Sequence, residues 1–273
     1  MDRIMQGLAV ALRQMPVRLR QTGAYLRPAT RNWGLSATLL AIWCVLLAIF
    51  HFFPAIDLDT AHHFFTATAC PAGSAIGRIC GHFADAGDTS LVVIRKCLFI
   101  LPVVVGVAVV LRLLGNFGHH GATYCRETTR QCSIALLALV AGPYLTVNLF
   151  LKQISHRPRP YQTDLFGGLH PFKAAGDFTG ACVGNCSFIS GEAAGSGWLV
   201  CLVVLLPKPL RLILAPPIIV LSLISPALRV GFGGHYVSDV VLGWLSSIVI
   251  YALIAECFEM SQSRRKRSSP TAL

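Results

Sequence analysis

Six apolar stretches divide the chain, at residues 35–53, 91–114, 132–151, 193–206, 212–228 and 240–258. About 20 apolar residues suffice to cross the hydrocarbon core as a helix, which satisfies its own backbone N–H and C=O groups without water. Joined by short polar segments, the six stretches predict an all-α fold: a polytopic six-helix transmembrane bundle. The fourth is short for a span and is expected to begin earlier, near Phe188. Pro216, Pro217 and Pro226 lie in the fifth, where a membrane helix tolerates proline better than a soluble one.

The polar residues are few and unevenly placed. Charged residues make up 13% of the chain and apolar ones 54%, against about 25% charged in soluble proteins. The net charge is nevertheless +11. A disordered basic chain would be poor in apolar residues, and a soluble nucleic-acid binder would carry more charge overall, so no nucleic-acid partner is expected. If the N-terminus is cytoplasmic, fifteen of the 23 Lys and Arg fall on inner segments and eight on outer ones. That bias predicts both termini inside. The outer eight are Arg78, Arg95, Lys96, Lys152, Arg157, Arg159, Lys173 and Arg229. Arg95 and Lys96, near one end of the second stretch, are expected to snorkel to the interface.

Three regions follow: a basic N-terminal segment (1–34), a six-span membrane domain (35–258) and a basic tail (259–273). The first region lacks the cleavage pattern of a signal peptide. Ile4, Leu8, Leu12, Met15 and Leu19 recur at helical spacing between arginines. They read either as a helix on the inner membrane surface, drawn to anionic lipid, or as a basic tail; a mitochondrial transit segment has a similar composition.

Cys70 and Cys80 share the first outer segment, and Cys182 and Cys186 the second. If that face is oxidising, both pairs are candidate disulfides. Cys44, Cys97, Cys132, Cys201 and Cys257 lie in or beside spans and read as small packing residues. No Cys/His spacing suits zinc, and the adjacent pairs His62-His63 and His119-His120 read as interfacial or loop residues, so no metal site is expected.

Three polar clusters fall on the expected outer face. The first runs from Lys152 through Arg159 to Pro160. The second is Ser187-Phe188-Ile189-Ser190-Gly191-Glu192. The third runs from Arg229 through His235 to Asp239. Lys152, Arg159 and Arg229 can surround a dianion, and Arg offers forked donors to phosphate oxygens. Ser190-Gly191 ahead of a helix offers a hydroxyl and free backbone N–H groups at its positive end. His235 and Asp239, four apart, share a helical face, so a carboxylate can hold one ring nitrogen and leave the other free as nucleophile or base. Glu192 adds a titratable group suited to general acid work if its pKa is raised. Each cluster alone is also what a headgroup anchor, a satisfied interfacial histidine or a plain helix start would look like. Their convergence on one face favours a phosphate site.

The spacing Lys152-x6-Arg159-Pro160, Ser190-Gly191 and Arg229-x5-His235-x3-Asp239 resembles the three-part signature of the type 2 phosphatidic acid phosphatase superfamily. The six-span layout resembles its membrane lipid phosphatase branch. The resemblance implies a helical fold, no metal or other cofactor, and a phosphohistidine intermediate. It implies that His235 attacks phosphorus, Asp239 orients it, and Lys152, Arg159, Ser190, Gly191 and Arg229 hold the phosphate. Two positions depart from the family pattern. Glu192 stands where the family has the histidine that protonates the leaving oxygen, and Leu228 stands where it has serine. Glu192 is expected to supply that proton, or else to contact a sugar or amine.

The Cys pairs and the segment Ile56-Asp57-Leu58-Asp59 resemble those of bacterial lipid A phosphatases. The expected activity is therefore hydrolysis of a phosphate monoester on a membrane lipid, the 4′-phosphate of lipid A first. The site would face the periplasm from the inner membrane, and no obligate protein partner is expected. The alternatives are an undecaprenyl diphosphate phosphatase, a lipid phosphotransferase, and a catalytically silent lipid-binding or transport protein.

Overall fold

The computed structural model describes residues 34–118 and 124–268, with side chains as far as residue 263. The N-terminal helix-or-tail reading, His119 and His120 lie outside that description, as do the side chains of the arginines in the basic tail.

Among the described residues, five helices are long and apolar enough to cross a membrane. They are α1 (Leu35–Phe52), α3 (Thr89–Gly118), α4 (Arg126–Leu139, continuing to Ile154), α6 (Lys208–Gly231) and α7 (Val237–Ser268). Their outward faces are apolar and uncovered: Leu40, Val45, Val103, Val104, Leu111, Ile213 and Val220 are all exposed, as lipid contact requires. With these five helices the chain is a multi-pass membrane protein. Pro216, Pro217 and Pro226 are all accommodated inside an unbroken α6.

The fourth stretch behaves differently. It forms α5 (Gly191–Cys201) with a 3-10 turn at Leu202–Leu205, shorter than a full span. It begins at Gly191 and not near Phe188, because Ser190 caps it through Oγ to the Ala193 N–H and its own N–H is held by the Asp239 carbonyl. Its small residues explain how so short a helix is used. Ala193, Ala194, Gly195, Ser196, Gly197 and Trp198 are all buried, so α5 is sheathed by protein. Gly197 lies against the α7 backbone, where a Cβ would come within 2.1 Å of the Trp244 carbonyl. Small residues permit this close approach between membrane helices. Ser247 donates to the Ala194 carbonyl, and the Trp198 indole donates to Ala135 of α4.

Two further features position the site. After α1, a short helix α2 (Ala55–Phe64) leads into an antiparallel hairpin, β1 (Phe65–Ala67) and β2 (Gly81–Phe83), closed by a Cys70–Cys80 disulfide. This hairpin is a small exception to the all-α expectation. It carries Phe65 and Phe83 into an aromatic cluster with Phe166 and Tyr236. The second feature is a widened π-helical segment of α4, Val140–Leu151. Thr146 and Asn148 each donate a side-chain bond to the carbonyl five residues back, at Ala141 and Pro143. Proline at 143 has no N–H to continue the ordinary ladder, and such wide turns often mark functional sites.

Candidate active site

The three clusters converge on one cavity of about 640 Å³, lined by Lys152, Arg159, Glu192, Arg229 and His235 among others. Lys152 stands at the end of α4, Glu192 in the first turn of α5, Arg229 in the last turn of α6, and His235 just before α7. Four chain segments thus each deliver one charged or nucleophilic group.

Arg159 sits in extended backbone ahead of a turn at Pro160–Gln162, with its N–H bonded to Gln162 Oε1. Its guanidinium donates to the Gly234 carbonyl and to Asn185, both backbone and side chain, at 3.0–3.2 Å. Lys152 Nζ donates to the same Asn185 Oδ1 at 3.1 Å. Asn185 was not among the expected residues. It lies next to the Cys182–Cys186 disulfide, which ties its loop. Arg229 Nε faces Glu192 Oε1 at 3.4 Å and makes no hydrogen bond. A buried cationic donor left over in this way is what an anion would satisfy.

Glycines make the convergence possible. At Gly234 a Cβ would come within 2.6 Å of the Arg229 guanidinium. Gly233 has φ +61° and would clash with the Phe83 ring. A side chain at either position would push apart the loop that sets Arg159, Arg229 and His235 around one point. Gly191 packs on Asn148, and its N–H and that of Glu192 open α5, where intrahelical partners are lacking.

His235 is 2% exposed and Asp239 fully buried. Nδ1 lies 3.8 Å from Asp239 Oδ2, an ion-pair distance beyond a hydrogen bond. Ser187 stands between them, its Oγ 2.5 Å from Asp239 Oδ2 and 3.4 Å from His235 Nδ1. Burial pushes the His235 pKa down to about 4, helped by Arg229 and Arg159 and opposed by Asp239. The imidazole is therefore neutral near pH 7, with a lone pair available for attack.

Two outer cations have partners that their sequence positions do not disclose. Arg95 does not snorkel. It turns inward and pairs bidentately with Glu192, Nε to Oε2 at 3.0 Å and Nη2 to Oε1 at 2.5 Å. Glu192 also accepts from Ser225 Oγ at 3.4 Å. Accepting from one guanidinium and facing a second favours the ionised form of the Glu192 carboxylate, and in that form it has no proton to donate as a general acid. Arg157, also without an expected task, is fully buried between Asp57 and Asp239. No motif pointed to these partners, since Asp57 is 100 residues away in sequence.

A second cavity of about 580 Å³ adjoins the first, sharing Phe99, Asn148, Gly191 and Glu192. Its other walls are apolar, including Val103, Val107, Leu136 and Leu139 of α3 and α4. The charged cavity thus opens into an apolar furrow between two spanning helices.

The PAP2 superfamily matches residues 132–263, which carry all three clusters. A "Lipid A 4'-phosphatase" from Rhizobium etli is 45% identical over 251 residues, covering 91% of this chain and 96% of the relative. A protein of the same name from Francisella tularensis subsp. novicida is 27% identical over 210 residues, covering 75% of this chain and 89% of that one. Among solved structures, the transmembrane PAP2-type phosphatidylglycerolphosphate phosphatase from Bacillus subtilis superposes with a TM-score of 0.52 at 18% identity, covering 82% of this chain and 96% of its own. With its helical fold matching that phosphatase and its sequence matching full-length relatives, the chain belongs to the PAP2 superfamily.

Proposed function

We propose that this lipid phosphatase of the PAP2 type hydrolyses the 4′-phosphate of lipid A through a phosphohistidine on His235. The observation that carries the mechanism is a buried imidazole beside three cations around one cavity. The 4′ assignment is supported by the 45% identity to the Rhizobium etli protein.

In this reading Lys152, Arg159, Arg229 and the first N–H groups of α5 take the phosphate in place of Asn185, which now occupies two of the cations. His235 attacks phosphorus through Nε2, and the P–O bond to the sugar breaks. The cations stabilise charge on the equatorial oxygens. Asp239 and Ser187 fix the ring from the Nδ1 side. Water then cleaves the P–N bond, releasing inorganic phosphate and restoring His235. Glu192 acts as a fixed anion that places Arg229 and Arg95, while the Lys152 ammonium is the group that can pass a proton to the leaving oxygen. The lipid's acyl chains follow the furrow between α3 and α4. The site opens to the periplasm and both termini lie in the cytoplasm of a bacterial inner-membrane protein. The regions 1–34 and 259–273 serve as basic flanks against anionic lipid.

The test uses purified protein, lipid A and a chelator, with mass spectrometry of the product. Loss of one phosphate from the distal sugar is expected. An unchanged lipid with folded protein, or loss of the 1-phosphate, contradicts the reading. Undecaprenyl diphosphate in parallel examines the alternative substrate. A reporter fused after Gln162 should read periplasmic, and a cytoplasmic reading inverts the topology.

A further inference from the structure

Asp239 belongs to a second ionic cluster, whose other members, Asp57 and Arg157, the reaction as described does not use. Asp57, from α2, is 1% exposed, and Arg157 and Asp239 are fully buried. Arg157 Nη2 donates to Asp57 Oδ2 at 2.7 Å, and Nη1 donates to Asp239 Oδ1 at 2.6 Å. Ser238 closes the ring, its N–H and Oγ donating to the two oxygens of Asp57 at 2.8 and 2.6 Å. The guanidinium also lies 4.3 Å from the Tyr236 ring centroid, which fixes its plane. Asp239 is thereby held on one oxygen by Arg157 and on the other by Ser187 and the Tyr236 N–H.

We infer that Asp57 is a positioning residue for the nucleophile: through Arg157 and Ser238 it fixes the Asp239 carboxylate and so the His235 ring. Asp239 lies 3.8 Å from His235 Nδ1, too far for a direct bond to hold the ring on its own. The ring's aim therefore depends on where Asp239 and Ser187 stand. Arg157 has a fork whose two ends point at different carboxylates, so moving Asp57 moves the end that holds Asp239. Asp57 is absent from the walls of the phosphate cavity, so it acts on attack and not on phosphate capture. Displacement of a reacting group by about 1 Å can cost about a hundredfold in rate.

The inference rests on the phosphatase reading, and the controls separate the two. The parent enzyme must release phosphate from lipid A and His235→Ala must not; failure there overturns the phosphatase reading itself. Against that baseline, Asp57→Asn is expected to lower kcat at least tenfold while KM and inhibition by inorganic phosphate stay within twofold. A variant that merely loosened the fold would change affinity along with kcat. Ser238→Ala, a smaller change that removes one bond to Asp57, is expected to lower kcat a few-fold with the same unchanged KM, and it decides the matter should Asp57→Asn not fold. Folded variants with parental kcat overturn the inference. So do equal losses in kcat and phosphate affinity, and so does failure of both variants to fold, which assigns the cluster to folding alone.

Discussion

Arg157 and Arg159 stand two residues apart in the same Arg-Pro-Arg-Pro run, yet they serve opposite electrostatic environments. Arg159 faces the cavity, where its neighbours are cations and the oxygens of Asn185 and Gly234. Arg157 is sealed between two carboxylates and two aromatic rings. One cluster carries excess positive charge that an incoming dianion can neutralise. In the other, the one cation is already met by two carboxylates within the protein. The comparison shows that a cation's role is set by which anions the fold brings to it. A charge left partly unmet is available for a ligand, while a charge fully met holds neighbouring groups in place.

Substitutions can break this contrast. Stability should respond most: Arg157→Ala leaves Asp57 and Asp239 buried without their partner, which costs about 3–5 kcal/mol. Thermal unfolding in detergent should show it, and an unchanged midpoint would erase the contrast. Arg159→Ala should do the reverse. It should unfold near the parental midpoint, yet lose about 10²–10³-fold in kcat/KM, the usual loss for one donor to a transition-state oxyanion.

Glu192→Gln probes the mixed pair Arg95–Glu192. With Glu192 as a fixed anion, turnover should fall roughly tenfold, on the order of one charge-assisted hydrogen bond. Abolished turnover in a folded variant would restore the acid role. The smallest effect is a titration. In ¹⁵N spectra of labelled histidine, the signal lost in His235→Gln should show a midpoint near pH 4. A midpoint near 6.5 contradicts the burial argument. Because the folded-state pKa lies below the unfolded one, His235 favours the folded state less as pH falls from about 6.5 to 4. His235→Gln should therefore soften acid destabilisation in that window.

The cavity was largely legible in the sequence, because spans that reverse direction bring their like ends to one side. Lys152, Ser190-Gly191, Arg229 and His235 each sit at or beside a helix end, so locating the helices located them. The buried cluster was not legible. Asp57 meets Arg157 across 100 residues, and neither spacing nor periodicity reports such a contact. Arg95 misled for a related reason: an arginine near a span end normally snorkels, and only the position of Glu192 across the helix interface turns it inward. The fourth span was hard to bound because α5 is buried by small residues, and hydropathy windows assume a lipid surface that this helix does not meet.

The most direct test of the account is to trap the covalent intermediate. Protein mixed rapidly with lipid A carrying a labelled 4′-phosphate, quenched in alkaline detergent and digested, should yield labelled peptide at His235. The label should appear within one turnover, and His235→Ala should carry none. Full turnover with no label on His235, or label on another residue, contradicts the account.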